Sequence, residues 1–170
     1  MMSKPLCFEE ISVGQTWTSP GRTITETDVV NFASMTGDYN PLHVDKDFAA
    51  NSHYGRQIAH GLLGVSWVAG LGSNSPNMKT VAFVSLHSWD FLKPLYFGDT
   101  VHVETEVINK TLHGRRTGKV QFRRTLINQR DEITQQGVFE TIVELKNPVA
   151  RPNISKSLQE IKPDAVDERS

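Results

Sequence analysis

A chain of 170 residues with 38% hydrophobic and 22% charged residues has the size and composition of one ordinary globular domain. Its net charge of −1 implies neither a nucleic-acid surface nor an anionic-membrane surface, and its single Cys7 excludes an intrachain disulfide framework and a cysteine metal cluster. Met1 to Glu10 lacks the basic-then-apolar pattern of a signal peptide, no apolar run is long enough for a membrane span, and a lone cysteine fits a reducing compartment, so a cytoplasmic location is expected.

In chain order, Phe8 to Gln15 reads as a lead-in with a turn at Val13-Gly14, and Thr16 to Thr23 as a strand pair around Ser19-Pro20-Gly21. A helix follows. Thr25 is its N-cap, Asp28 completes a capping box, and Ile24 with Val29 forms a hydrophobic staple. Val29, Val30, Phe32, Ala33 and Met35 give the expected buried stripe, and Gly37 ends the helix. The chain then turns polar through Gly37-Asp38-Tyr39-Asn40-Pro41-Leu42-His43, with an acid and an imidazole five positions apart on a loop launched from a fixed helix end.

Asp45 caps a short helix over Lys46 to Asn51, and Ser52 to Gln57 is a loop. From His60-Gly61 begins a helix apolar on every side through Leu62, Leu63, Val65, Trp67, Val68, Ala69 and Leu71, which predicts complete wrapping by a sheet. Gly70, Gly72, Ser73, Asn74 and Pro76 end it. The period then changes to two. Strands are predicted over Val81 to Leu95, along Val101 to Ile108, along Val120 to Leu126 and along Phe139 to Leu145, joined by turns at Phe97-Gly98-Asp99, His113 to Gly118 and Asn128 to Glu132. The class is α+β, with helices on one side of an antiparallel sheet. The predicted domain covers 1–146, and 147–170 is a polar tail with Pro148, Pro152 and Pro163.

Taken alone, Asp38 fits a turn acid as well as a catalytic one, and His43 fits a satisfied loop histidine. Asn40 reads first as a turn former whose amide could orient Asp38 or a substrate. His60 reads as support at a helix start, and Ser66, one turn beyond Gly61, as a small packing residue or a pocket residue. Asp38, His43 and His60 can be drawn as metal ligands, but their spacing lacks a metal-site logic such as two histidines one helical turn apart, and no metal is expected. Arg115, Arg116 and Lys119 cluster at a predicted hairpin tip; arginine suits phosphate, so this turn is a candidate for a phosphate-bearing ligand.

Asp38-Tyr39-Asn40-Pro41-Leu42-His43, then Ala49, then Ile58-Ala59-His60-Gly61, resembles the MaoC-like dehydratases, which include the (R)-specific enoyl-CoA hydratases. Phe91-Leu92-Lys93-Pro94 followed by Gly98-Asp99-Thr100 is similar to the same family's later sheet, and the resemblance runs from about Gly14 to Leu145. It implies the hot-dog fold, a curled antiparallel sheet around a buried helix, and a homodimer with joined sheets. It implies interconversion of trans-2-enoyl-CoA and (R)-3-hydroxyacyl-CoA, with an acyl-CoA thioester as substrate and no cofactor.

By the same resemblance Asp38 and His43 are the acid–base pair, Asp38 the main base and His43 its partner in orienting water and relaying a proton. Gly61 at the helix start offers a backbone N–H backed by the helix dipole, and with no side chain it lets a thioester oxygen approach. Asn40, His60 and Ser66 are the expected substrate-side residues. Two rival functions remain: a thioesterase on the same fold, and a non-catalytic dimeric acyl-binding module.

Overall fold

The computed structural model describes residues 4–149 and builds one antiparallel sheet from six strands. In chain order these are β1 (Thr16–Thr18), β2 (Arg22–Thr23), β3 (Thr80–Phe91), β4 (Thr100–His113), β5 (Thr117–Asn128) and β6 (Ile133–Glu144). Four helices, α1 (Glu26–Thr36), α2 (Pro41–Val44), α3 (Lys46–Ala50) and α4 (Gly61–Gly72), fall between β2 and β3. The sheet runs β1-β4-β5-β6-β3, with β2 also on β4. This is the α+β arrangement that the sequence predicts, with the antiparallel sheet that the family resemblance implies. No helix among the described residues is long and apolar enough to cross a membrane.

Alternation decides what lies inside. On β4, Val101, Val103 and Val107 point inward; on β5, Val120, Phe122 and Leu126 do the same; on β6, Phe139 and Val143 join them. All are buried in one cluster with Leu63, Trp67 and Val68 of α4. Each such side chain contributes about 1.5–3 kcal/mol of apolar burial, so the contact of α4 with the sheet is a substantial source of stability.

Three expectations need correction. The segments around Ser19-Pro20-Gly21 do not pair with each other: β1 lies against Glu104 to Glu106 and β2 against Thr100 and Val101, so both extend along the edge of β4. Ser19 bridges the gap, its N–H donating to Val103 O and its hydroxyl accepting from Val103 N, where Pro20 has no N–H to give. On α1, Val29, Phe32 and Ala33 are buried, but Val30 and Met35 are exposed, because only one side of this helix meets the body. The third concerns α4, which this chain does not wrap completely. Leu63, Gly64, Trp67 and Val68 are buried, while Leu62, Ser66 and Gly70, four residues apart, form an exposed stripe, with Leu62 63% accessible.

The predicted capping box of α1 is present: Thr25 accepts from Asp28 N, and Asp28 accepts from Thr25 N. Gly37 ends α1 in the left-handed region at φ 79°, which favours glycine. At the far end of α4, buried Arg124 of β5 donates to Val68 O at 3.3 Å and Gly72 O at 3.0 Å, a cation at a helix C-terminus. Its guanidinium lies 4.9 Å from the Phe139 ring, and burial pulls its pKa down to about 10. A Cβ on Gly72 would stand 2.7 Å from Arg124 Cζ, so glycine there lets the guanidinium reach the helix end. Of the predicted tail, Asn147 N donates to Glu9 and Val149 N to Arg115 O; from residue 150 the tail lies outside the described residues.

Candidate active site

The segment after α1 is more ordered than a polar loop. Asn40 accepts from Leu42 N at 3.0 Å and so caps α2, with Pro41 at the first helical position where its missing N–H is harmless. The backbone N–H of Asn40 donates to Asp38 Oδ1 at 3.3 Å, and Asp38 N donates to Thr36 Oγ1 at 3.3 Å. The Asp38 carboxylate is therefore aimed by backbone geometry on both sides while its side chain stays 53% accessible.

His43 sits half-buried at the end of α2. Its Nδ1 donates to Ile58 O at 2.8 Å, and a carbonyl can only accept. That bond fixes the neutral tautomer with a free lone pair on Nε2. Burial pushes the His43 pKa down from the ordinary imidazole value; the Ile58 carbonyl opposes, His60 adds to the lowering, and Asp38 opposes. His43 is thus held as a neutral base near physiological pH.

His60 precedes α4 and is 2% exposed. Its Nε2 donates to Asp38 O at 2.8 Å and lies 3.9 Å from Asp38 Oδ2. Its ring stacks on that of His43, centroids 3.8 Å apart, and packs against Phe32 at 5.1 Å. Asp38, His43 and His60 bring their ligand-type atoms within 4.8 Å of one another. One nitrogen of each ring is hydrogen-bonded to a carbonyl, and the other nitrogen of His60, Nδ1, is buried with no hydrogen-bond partner among the described residues.

Gly61 begins α4, and His60 provides no side-chain cap, so the orphan N–H groups of the first turn are not taken up by a side chain. A cavity of about 300 Å³ lies against Gly61, lined also by Tyr54, Ile58, Ala59, Phe91 and Gln135. Asp38 and His43 are not part of its lining; Ile58, whose carbonyl accepts from His43, is. Ser66 is exposed on the uncovered stripe of α4, its hydroxyl donating to Leu62 O, and it does not line this cavity.

Arg115, Arg116 and Lys119 stand at the far end of the sheet. Thr117 pairs with Glu144, whereas Leu126 pairs with Gln135 beside the cavity, a separation of roughly 30 Å along β5. Lys119 is paired with Glu140 at 3.0 Å, and Arg115 donates to Val149 O. The basic turn does not reach this chain's own cavity. Gln135 and Trp89 are not singled out by the sequence, and Phe91 enters there only as the first residue of the Phe91–Pro94 motif. The available signal is parity: Gln135 shares the inward parity of Phe139 on β6, and a polar residue there invites a question.

With the geometry in place, comparison with known proteins defines the class. The MaoC like domain model matches residues 10–129, and the chain belongs to that family. Its fold is the hot-dog fold; a Mycobacterium tuberculosis protein described as a double hotdog fold superposes with a TM-score of 0.76 at 22% identity, over 88% of this chain and 47% of that one, a likeness of fold alone. Over 103 residues the chain is 39% identical to the 3-hydroxybutyryl-CoA dehydratase of Methylorubrum extorquens, covering 60% of this chain and 64% of that protein. Over 110 residues it is 36% identical to Protein MaoC of Klebsiella aerogenes, covering 65% of this chain and 33% of that protein. The chain thus spans less than two thirds of either relative. The (R)-hydratase of A. caviae involved in PHA biosynthesis superposes with a TM-score of 0.67 at 28% identity, over 81% of this chain and 98% of that one.

Proposed function

We propose that this protein interconverts trans-2-enoyl-CoA and (R)-3-hydroxyacyl-CoA by syn addition of water. The observation that carries the reading is a carboxylate and an imidazole that each bring a ligand-type atom within 4.8 Å of the other, near the uncapped start of a buried helix. Similarity to a 3-hydroxybutyryl-CoA dehydratase and an (R)-hydratase supports the same substrate class.

In the hydration direction, Asp38 takes a proton from a water oriented jointly with His43 Nε2. The water oxygen bonds to Cβ, and the π electrons move onto the thioester as an enolate. The Gly61 N–H, at the positive end of α4, holds the enolate oxygen. Cα then takes a proton relayed through the pair, and the carbonyl is restored. Both additions come from one side because one water site serves both, and water and thioester suffice without a cofactor. Asn40 acts through its backbone N–H on Asp38, and His60 holds the Asp38 main chain.

The working unit in this reading is a cytoplasmic homodimer. β3 is a sheet edge with Val81, Phe83, Val84 and Leu86 all exposed, and an apolar edge strand is a template for another strand. A second copy joined along β3 would extend the sheet. It would also cover the Leu62–Ser66–Gly70 stripe and bring Ser66 to the substrate side. The test is an absorbance assay over a panel of trans-2-enoyl-CoA thioesters. Loss of the conjugated thioester band without release of free thiol is expected. Thiol release would identify a thioesterase instead, and no change with any member of the panel would leave an acyl-binding module.

A further inference from the structure

The N-terminus of α4 is a weak helix start. Its first residue is Gly61, Gly64 follows within the same turn, and His60 adds no side-chain cap. Glycine is the poorest helix former after proline, and terminal turns fray unless something ties them down. A donor that must point at a developing charge cannot be left to fray, since small misplacements cost large rate factors.

Beyond the His60 contacts with the Asp38 loop, a further tie on this turn comes from the sheet. Gln135 of β6, 1% exposed, donates from Nε2 to Gly61 O at 3.1 Å. Its Oε1 accepts from Trp89 Nε1 of β3 at 3.3 Å. The order of this chain is chemically forced. An indole N–H can only donate and a carbonyl can only accept, so the amide between them has one workable orientation. Space has been left for it: a Cβ on Gly64 would stand 2.3 Å from Gln135 Nε2, and one on Gly137 would stand 2.3 Å from Trp89 Cε3. Trp89 is braced in turn against Phe139, ring centroids 5.5 Å apart. Gln135 also lines the same cavity as Gly61 and does not belong to the acid–base pair.

We propose that Gln135, held by Trp89, is the positioning residue for the oxyanion donor. By fixing the Gly61 carbonyl it holds the Gly61–Leu62 peptide plane, and through the Gly61 Cα it restrains the first turn of α4 on which the Gly61 N–H sits. This rests on the hydratase reading given above. It predicts an effect on the transition state rather than on ground-state binding, because the donor is needed most when the enolate forms.

The test compares wild type, Gln135→Leu and Trp89→Phe in the full chain, with thermal unfolding and the folded fraction measured for each. Two readouts are taken: kcat and KM with a trans-2-enoyl-CoA, and near-ultraviolet absorbance of a bound 3-oxoacyl-CoA, whose enolate forms more readily when its oxygen meets an aimed donor. In folded Gln135→Leu, kcat should fall by ~10–100-fold with KM within ~3-fold, and the enolate band should weaken. Trp89→Phe keeps an aromatic ring, removes only the N–H, and should show a smaller loss in the same direction. If Gln135→Leu does not fold, Trp89→Phe decides alone. Wild-type kcat and wild-type enolate absorbance in the folded variants would overturn the proposal, as would a rise in KM with kcat unchanged. A wild-type protein that neither hydrates the enoyl thioester nor enolises the oxo thioester would overturn the hydratase reading, and this inference with it. An active wild type with indifferent variants would remove this inference alone.

Discussion

His43 and His60 are cross-latched. Their rings stack at 3.8 Å, and each donates to a backbone carbonyl of the other's segment, His43 to Ile58 O and His60 to Asp38 O. Two further bonds close the same seam, Ile58 N to Leu42 O and Gln57 Nε2 to His43 O. The loop carrying Asp38 and the segment opening α4 are thus registered to each other by two imidazoles, one half-buried and one fully buried. The two rings have the same chemistry and different tasks, and burial separates them.

The latch makes His60 a structural residue first. His60→Ala removes a fully buried ring packed on Phe32 and leaves the Asp38 carbonyl without its donor. A loss of about 2–4 kcal/mol in urea unfolding is expected, against about 1 kcal/mol for the half-buried His43→Ala. Equal losses for the two variants would contradict the division.

The His43 pKa carries a signed prediction. Burial is the largest cause and lowers it, so the folded value lies below the unfolded one, about 6.5. An unfolded chain then binds the proton first, and His43's contribution makes stability fall as pH drops through the ordinary imidazole range. An NMR titration of the His43 ring should show a midpoint below about 6.5, lower still in Asp38→Asn, because Asp38 is one of the groups raising it. A midpoint at or above the ordinary value would contradict the burial argument.

Much of this was legible in the sequence, for identifiable reasons. The strands of the sheet follow from strict alternation at Val101, Val103, Val120, Phe122 and Leu126, and α1 from its Thr25–Asp28 box and Gly37. The Asp38–His43 spacing drew attention to the pair, though not to the tautomer set by Ile58 O, since a carbonyl acceptor has no residue signature. Two features were misread because a single period cannot say where neighbours stop. Val30 and Met35 lie on an apolar stripe wider than the contact beneath it, and Leu62 belongs to a helix face this chain leaves open. Gln135 was passed over because a glutamine within a strand carries no signal until its parity is set beside Phe139.

The open face leads to a prediction about assembly. The apolar side chains of β3 and Leu62 are exposed in the single chain, and a joined sheet would bury them. Sedimentation should give twice the chain mass, and Phe83→Glu on the β3 edge should shift it toward the single chain with loss of activity. A fully active monomeric wild type would contradict the dimeric reading.

Gly61 should act through its backbone. A Cβ there would stand 2.8 Å from Phe91 Cε1, so Gly61→Ala requires the ring to move and narrows the approach to the N–H. Gly61→Pro removes the donor outright and should lose ~100-fold or more in turnover, with alanine losing less. A folded proline variant close to wild type would place the oxyanion donor elsewhere.

The most direct test of the acid–base pair is the turnover of trans-2-enoyl-CoA by Asp38→Asn and His43→Ala beside wild type, each purified and shown folded. The proposed roles predict that wild type hydrates the thioester and that each variant is slower by at least ~100-fold, the scale for loss of a positioned acid–base group. Near-wild-type rates in either folded variant would contradict the assignment of Asp38 and His43 as the pair that adds water.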